Sequence, residues 1–331
     1  MCASLAMNTT LLGLTSVLND LAYHDGTSLG LELGITRSAV WKNIKKLVSY
    51  GIEVESLKGK GYRLTKPLYL LSADRIKGYL KTIEPVIHVL EKTTSTNDYL
   101  KTIKNEEHAW QVCIAETQTQ GKGRWRRAWH SPFGQNIYLS LSYPIDQAVS
   151  ALSGLSLVVA LAAVSALESF YHLSSPLQIK WPNDVVFDQK KLGGNLIELQ
   201  AESYGAYHVI LGLGLNINMA CADPEVVDQA WTSFYALTGH IQDRNPLCAH
   251  LIDTLAVYLE RFSRHGLSDF MVEWRRRDSL YDQSIEVHSN QKSWSGLACG
   301  INEQGHLKVK NSAGLIELFA SGDTSLRRKD V

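Results

Sequence analysis

The chain has no excess of charge of either sign: 33 Lys and Arg stand against 33 Asp and Glu in 331 residues. It is therefore no polycation, and any contact with nucleic acid has to come from a local patch. It lacks an apolar run long enough to cross a bilayer. The first residues also lack the basic stretch and long apolar core of a secretion signal. A soluble cytoplasmic protein with no membrane partner is the expectation. Cysteines are few and scattered (Cys2, Cys113, Cys221, Cys248, Cys299), with no CxxC spacing. That argues against a zinc site or a disulfide framework and for reduced thiols. Low-complexity tracts are absent too, and a composition of 45% hydrophobic and 20% charged residues is that of an ordinary globular protein. The length exceeds one average domain, so two or three units are expected.

What is present falls into three segments, a multidomain α+β arrangement. In the first, residues 1–66, Asn8-Thr9-Thr10 can cap a helix with Leu11, Leu14, Val17, Leu18 and Leu21 on one face. Thr27 can cap a short second helix. After the turn Gly34-Ile35-Thr36, a third helix places Val40, Ile44, Leu47 and Val48 inward. Its other face carries Arg37, Ser38, Trp41, Lys42 and Lys45, and a hairpin follows with Lys58-Gly59-Lys60-Gly61 at its tip. Helix, short helix, turn, helix and basic hairpin read as a winged helix-turn-helix. Arg37, Ser38 and Lys42 suit base edges or phosphates, and Lys58 and Lys60 phosphates alone. A small helical domain with a basic solvated face is the plainer alternative.

Pro67 opens the second segment, residues 67–282. Short apolar strands are expected around 86–90, 112–115, 136–143, 177–180, 185–187, 196–199 and 209–217. Residues 151–171 are apolar on nearly every side, which predicts a buried central helix. Further helices are expected over 225–236 and 246–264. Strands clustered about one buried helix suggest a mixed sheet. In residues 283–331 short strands separated by Gly and Asn turns predict a small β-barrel, marginal alone and so packed on the central domain.

Two loops carry the chemistry. Gly121-Lys122-Gly123-Arg124-Trp125-Arg126-Arg127 holds four cations and no acid; Lys180-Trp181-Pro182-Asn183-Asp184 is followed by Lys191-Leu192-Gly193-Gly194. Glycine lets backbone N–H groups approach an anion, and the cations neutralise it. Such a chain suits holding a phosphate and a carboxylate together. Gly212-Leu213-Gly214-Leu215-Asn216-Ile217-Asn218 lacks the third glycine and following helix of a dinucleotide site.

The order Ser95-Thr96-Asn97, Gln118, Gly121–Trp129, Ser131-Pro132-Phe133-Gly134, Lys180–Asp184, Lys191–Gly194 and Gly212–Asn218 resembles the biotin protein ligases. With its winged helix the chain looks like their bifunctional form, which also represses biotin synthesis genes. The resemblance implies a class II synthetase-like catalytic domain followed by a small SH3-like domain. It implies biotin and ATP as substrates with Mg²⁺, and biotinyl-5′-adenylate as the intermediate. The acceptor it implies is a lysine of the biotin carboxyl carrier protein of acetyl-CoA carboxylase. Operator DNA upstream of biotin synthesis genes, and a homodimer when adenylate is bound, are the further implied partners.

By the same resemblance Lys191 bridges the biotin carboxylate and the α-phosphate, with Gly193 beside it, and Arg124 retains the adenylate. Gly121, Lys122, Gly123 and Arg124 fold over biotin, while Arg126 and Arg127 face the phosphate. Ser95, Thr96, Asn97 and Gln118 meet biotin. Lys180, Asn183, Asn216, Trp231 and Arg327 line the nucleotide. Asp184 can hold Mg²⁺ or take a proton from the attacking lysine. Ser95 and Thr96 are equally explained as a helix cap, and Trp231 as packing in a helix. The family loop runs close to Gly-Arg-Gly-Arg-x-Gly-Arg-x-Trp. Here Lys122 replaces its first Arg, and Arg126 replaces a Gly at a position that suits positive φ. A lipoate-type ligase of the same fold, and a biotin-sensing DNA-binding regulator without catalysis, are the alternatives.

Overall fold

The computed structural model describes residues 4–103, 110–145, 152–171, 173–201, 207–289, 292–321 and 324–328. The chain divides into two compact units, 1–144 with 197–250 and 145–196 with 251–331.

The first unit opens with a two-residue strand β1 (Leu5–Ala6), absent from the sequence expectation. Helix α1 (Thr9–Leu18) follows, its first N–H groups accepted by Asn8 Oδ1. Helix α2 (Gly26–Glu32) is capped by Asp25, not Thr27, because the Asp carboxylate reaches the N–H groups of Thr27 and Ser28. Helix α3 (Arg37–Ser49) is capped by Thr36 and buries Val40, Ile44 and Leu47. Val48, expected inward, is 48% exposed; it lies one residue past Leu47, about 100° round the helix from it. Strands β2 (Val54–Leu57) and β3 (Gly61–Leu64) form the wing, with the turn at 58–60. Gly61 is required there: at φ +102 a Cβ would lie 1.9 Å from the carbonyl oxygen of His24, whose backbone pairs with Tyr62.

The winged segment shares one hydrophobic core with the chain that follows it, including Leu68, Leu70 and Phe133. Tyr50 stacks on Phe133 with ring centroids 4.1 Å apart. Glu91, 1% exposed, accepts hydrogen bonds from Lys46 Nζ at 2.7 Å and Tyr50 Oη at 2.6 Å.

After helix α4 (Ala73–Tyr79) come β4 (Val86–Lys92), α5 (Thr96–Thr102), β5 (Gln111–Ala115) and β6 (Ile137–Ile145). In the second unit, α6 (Leu155–Phe170) is the expected all-apolar helix, buried along most of its length. Strands β7 (Gln178–Lys180), β8 (Asp184–Phe187) and β9 (Lys190–Ala201) follow, then β10 (Tyr207–Leu215) in the first unit. The first unit's strands run in the order β1-β4-β5-β6-β10, with β4 and β5 parallel and the other registered pairs antiparallel. This is the mixed sheet. In the second unit β7, β8 and the start of β9 are antiparallel.

The helix expected over 225–236 is only α7 (Phe234–Thr238). Ser233 caps it at Ala236 N, a late start that leaves 227–232 outside any helix. Helix α8 (Arg244–His265) matches expectation closely. Then come α9 (Met271–Arg277) and the strands β11 (Ser284–Ser289), β12 (Lys292–Ile301), β13 (Leu307–Lys310), β14 (Ile316–Phe319) and β15 (Thr324–Arg328). They form a five-stranded sheet in the order β14-β13-β12-β11-β15, of which the sequence pattern had shown all but β15. Trp181, buried, donates its indole N–H to the carbonyl of Gly305, so the small domain packs on the β7–β8 turn. The four described cysteines are unpaired.

One polar contact roots the first unit. Arg244 and Glu116, both 0% exposed, meet at 2.7 Å. The guanidinium also donates to the carbonyls of Asn136 and Tyr69, each at 2.9 Å, and Glu116 accepts the Leu71 N–H. Removing the cation would strand a carboxylate out of water. Arg244→Met is expected to lower the stability of the chain by about 3–5 kcal/mol, read from the midpoint and slope of urea unfolding.

Candidate functional site

In the first unit the site is built on the N-terminus of α5. Ser95 caps the helix at Asp98 N, and Ser95, Thr96 and Asn97 are all buried. The Thr96 N–H and hydroxyl point to Gln118 Oε1 at 2.9 and 3.1 Å, and Gln118 Nε2 donates to Ser131 Oγ at 3.3 Å. Thus three of the expected contact segments meet through side chains that sequence spacing only suggested. Asn97 is oriented from both ends: Nδ2 donates to Glu198 Oε2 at 2.8 Å, and Oδ1 accepts from Ser140 Oγ at 2.5 Å.

Gly212 and Gly214 occupy one face of β10 for a steric reason. A Cβ on Gly212 would lie 2.4 Å from Asn97 Oδ1, and one on Gly214 2.5 Å from the ring of Trp129. These glycines make room for protein side chains, which accounts for the Gly-Leu-Gly pattern without a dinucleotide.

The cationic loop is a short hairpin. Trp129 N–H donates to Gly121 O and Gly123 N–H to Arg127 O, each at 2.8 Å. A 3-10 turn spans Arg124–Arg126. Trp125 and Arg126 have φ of +59 and +57, the left-handed region that the replaced family glycine would accept readily. Gly121 is buried, since a Cβ would meet Trp129 O at 2.7 Å. Arg124 is half-buried; Lys122, Arg126 and Arg127 are exposed.

Lys122 Nζ sits 2.5 Å from Asp98 Oδ2. Asp98 also faces Lys101 at 3.3 Å, and Lys101 in turn meets Glu198 at 2.6 Å. Burial pulls the Asp98 carboxyl upward, but the hydrogen bonds and charges of Lys122 and Lys101 outweigh it and hold it below the usual carboxylate range. A lowered value means the pairing is present at neutral pH and is lost only as pH falls through that value. Asp98, Lys101 and Glu198 were missed in the sequence. The i, i+3 spacing of Asp98 and Lys101 was the one available signal, and chain folding alone brings Lys122 and Glu198 to them.

Asn216 Nδ2 donates to Thr232 O at 3.1 Å. Trp231, outside any helix, is half-buried near that contact in sequence, which removes the helical packing alternative for it.

The second unit holds the other motif pair. Lys191 Nζ lies 2.8 Å from Asp184 Oδ1, with side chains 18% and 22% exposed. Gly194 makes this possible, because a Cβ there would fall 2.9 Å from Asp184 Oδ1 and 3.4 Å from Lys191 Cε. The β8–β9 register shifts between Val185 and Val186, which sets Gly193 opposite Val185 and Lys191 opposite Val186. Asn183, buried, donates to Asn195 O at 2.7 Å, and Asn195 Nδ2 donates to Ser156 O at 3.0 Å. The first bond ties the β7–β8 turn to β9, and the second ties β9 to α6. Lys180 pairs in register with Asp184 and is half-buried. Arg327 stands opposite Glu286 on β15, and its side chain lies outside the described residues.

No group of three or more His, Cys, Asp or Glu among the described residues is placed to hold a metal ion. Asp184, expected to hold Mg²⁺ or take a proton, has its carboxylate against the Lys191 ammonium.

On the winged segment Arg37, Ser38, Trp41, Lys42, Lys45, Lys58 and Lys60 are all exposed. Lys45 stands over the Trp41 ring at 5.7 Å. They offer a basic surface on α3 and the wing. No described helix is long and apolar enough to cross a membrane.

The helix-turn-helix and the ligase-type motifs each have a counterpart among known proteins. A family model described as the biotin/lipoate A/B protein ligase family matches residues 89–216, and one described as an HTH domain matches 18–63. A bifunctional ligase/repressor BirA of Salmonella typhimurium is 36% identical over 316 residues, covering 96% of this chain and 97% of the relative. The protein of the same description from Bacillus subtilis is 30% identical over 302 residues, with 89% and 92% covered. The solved biotin protein ligase from Aquifex aeolicus in complex with biotin and ATP superposes with a TM-score of 0.63 at 27% identity. It covers 74% of this chain and 99% of that one. The chain belongs to the bifunctional ligase/repressor family of the biotin protein ligases.

Gly212→Ala forces Asn97 off Glu198 and Ser140. A loss of about 1–3 kcal/mol is expected from this overpacking, measured as the change in free energy of chemical unfolding.

Proposed function

We infer that the chain is an ATP-dependent biotin protein ligase and a repressor in one polypeptide. One observation carries this: the relationship to proteins of both activities extends over 96% of the chain, with the helix-turn-helix and ligase segments in the same order. Biotin and ATP are its substrates. In the first half-reaction a carboxylate oxygen of biotin attacks the α-phosphorus of ATP and pyrophosphate leaves. In the second the amine of a carrier-protein lysine attacks the acyl carbon, an amide forms, and AMP leaves with the amine's proton passed to solvent or a base.

Residue roles follow as part of the proposal. Bringing a carboxylate to a phosphate costs several kcal/mol in a site of low polarity unless a cation lies between them. Lys191 is that cation. Asp184 orients its ammonium, in space that the missing Cβ of Gly194 leaves open, so that little reorganisation of the cation is needed when the anions bind. The hairpin of Gly121, Lys122, Gly123, Arg124, Arg126 and Arg127 closes over the adenylate, Arg124 nearest its phosphate. Ser95, Thr96, Asn97 and Gln118 contact biotin. Lys180, Asn183, Asn216, Trp231 and Arg327 line the nucleotide. Mg²⁺ enters with the ATP phosphates, and Asp184 either contributes a carboxylate to it or takes the proton of the attacking lysine.

Residues 1–66 form the DNA-binding domain, 67–282 the catalytic domain and 283–331 the C-terminal domain. The acceptor is a biotin carboxyl carrier protein, and the DNA is the operator of biotin synthesis genes, met by Arg37, Ser38, Trp41, Lys42 and Lys45 of α3 with Lys58 and Lys60 of the wing.

Lys191→Ala is expected to slow adenylate formation by roughly 10²–10³-fold, followed as pyrophosphate release from biotin, ATP and Mg²⁺. Full activity in that variant, or preferential activation of lipoate, overturns the assignment. A homodimer is proposed for the adenylate-bound form alone. Its expected signature is a higher sedimentation coefficient and a stronger operator gel shift with biotin plus ATP than without.

A further inference from the structure

Asn97 is 4% exposed, and its side-chain amide lies between two partners from different strands. Its Oδ1 is 2.5 Å from the Ser140 hydroxyl of β6, and its Nδ2 is 2.8 Å from Glu198 Oε2 of β9. Packing fixes the plane of this amide: even a Cβ on Gly212 would fall 2.4 Å from Oδ1. Packing does not fix its sense, because the oxygen and the NH₂ group are nearly equal in size. Ser140 does not fix it either, since a hydroxyl can turn to donate or to accept.

Glu198 can only accept. Its other oxygen, Oε1, takes a hydrogen bond from Lys101 Nζ at 2.6 Å. Burial pulls the Lys101 ammonium toward losing its proton, but the hydrogen bonds and charges of Glu198 and Asp98 outweigh this and hold it above the usual lysine range. A carboxylate beside so firm a cation stays ionised at neutral pH and has no hydrogen to give. Turning the Asn97 amide over would set its oxygen against that carboxylate, two acceptors with no proton between them.

We propose that Glu198 is a positioning residue: it fixes the sense of the Asn97 amide, and with it which donor and acceptor that amide turns toward the substrate. After the two bonds above, Asn97 keeps one N–H and one lone pair. The substrate half of the proposal rests on the ligase reading, in which Asn97 contacts biotin. A cyclic urea has donors and an acceptor in a rigid ring, so an overturned amide meets it donor to donor or acceptor to acceptor.

Two variants that break the same ion pair separate this role from a merely structural one. Glu198→Gln keeps the size of the side chain but can offer an N–H to Asn97. Its affinity for biotin, from titration calorimetry on the full chain, is expected to fall about tenfold, the low end of what a hydrogen bond to a charged group contributes. Lys101→Gln leaves the carboxylate in place and is expected to stay within about twofold of the wild type. In pyrophosphate release the loss in Glu198→Gln is expected in KM for biotin, with kcat and KM for ATP little changed. Nuclear magnetic resonance of protein labelled at asparagine nitrogen reads the amide without substrate. The Asn97 NH₂ signal, identified by its loss in Asn97→Ala, is expected downfield in the wild type and Lys101→Gln and shifted upfield in Glu198→Gln. Wild-type affinity in Glu198→Gln, equal losses in the two variants, or an unmoved Asn97 signal overturns the proposal. If the signal moves as expected but the wild type does not bind biotin, the fixed amide stands and the ligase reading falls.

Discussion

A guanidinium and a carboxylate that have both left water make the contact on which the first unit depends. Arg244, at the start of α8, faces Glu116, the residue after β5, and the remaining guanidinium donors reach the carbonyls of Tyr69 and Asn136. Four stretches of chain far apart in sequence are thus held at one point. Asn245 adds a second tie by donating to Leu70 O and accepting from Ser72 N. Burial makes the pair demanding rather than strongly stabilising, since each charge has lost its hydration and is tolerable only beside the other. What it supplies is position. Thr117, Gln118 and the cationic hairpin leave the sheet from a root that cannot drift.

Upon that root the polar side chains of the first unit are already engaged with one another: Gln118 is shared between Thr96 and Ser131, and Asn97 between Ser140 and Glu198. In the second unit, taken by itself, Lys191 is matched by Asp184. Joining a carboxylate to a phosphate is mainly an electrostatic problem, and preset donors and cations lower its cost because they need not reorganise during the reaction. Cations without nearby anions would repel, and here Asp184 offsets Lys191 and Asp98 offsets Lys122.

The winged segment shows how a chain of zero formal net charge presents a basic surface. Lys45 and Lys46 are neighbours on α3, yet about 100° of helical rotation separates them. Lys45 faces solvent beside Trp41, and Lys46 reaches the buried Glu91. Tyr50, one turn further on, donates to the same carboxylate and stacks on Phe133. The helix that presents the outward cations is therefore anchored by its last turn to β4 and to the segment that follows the cationic hairpin.

Much of this was readable from the sequence where the determinant is local. Periodicity placed α1, α3, α6 and α8, turn glycines placed the wing, and alternation placed most strands, because each depends on residues a few positions apart. Some local expectations also missed, each through a neighbour a few positions away: Asp25 outcompeted Thr27 as a cap, a Ser233 cap reduced the helix over 225–236 to five residues, and Val48 fell one step round its helix on the exposed side. The motifs marked Lys191, Asn97, Gly212 and Lys122 individually, since glycine freedom and charge are properties of single residues. Folding alone decided their partners: Asp184 beneath Lys191, Glu198 and Ser140 on either side of Asn97, Trp129 over Gly214, and Asp98 beside Lys122. A through-space charge or steric contact is set by where strands and helices meet, and no spacing along the chain encodes that distance.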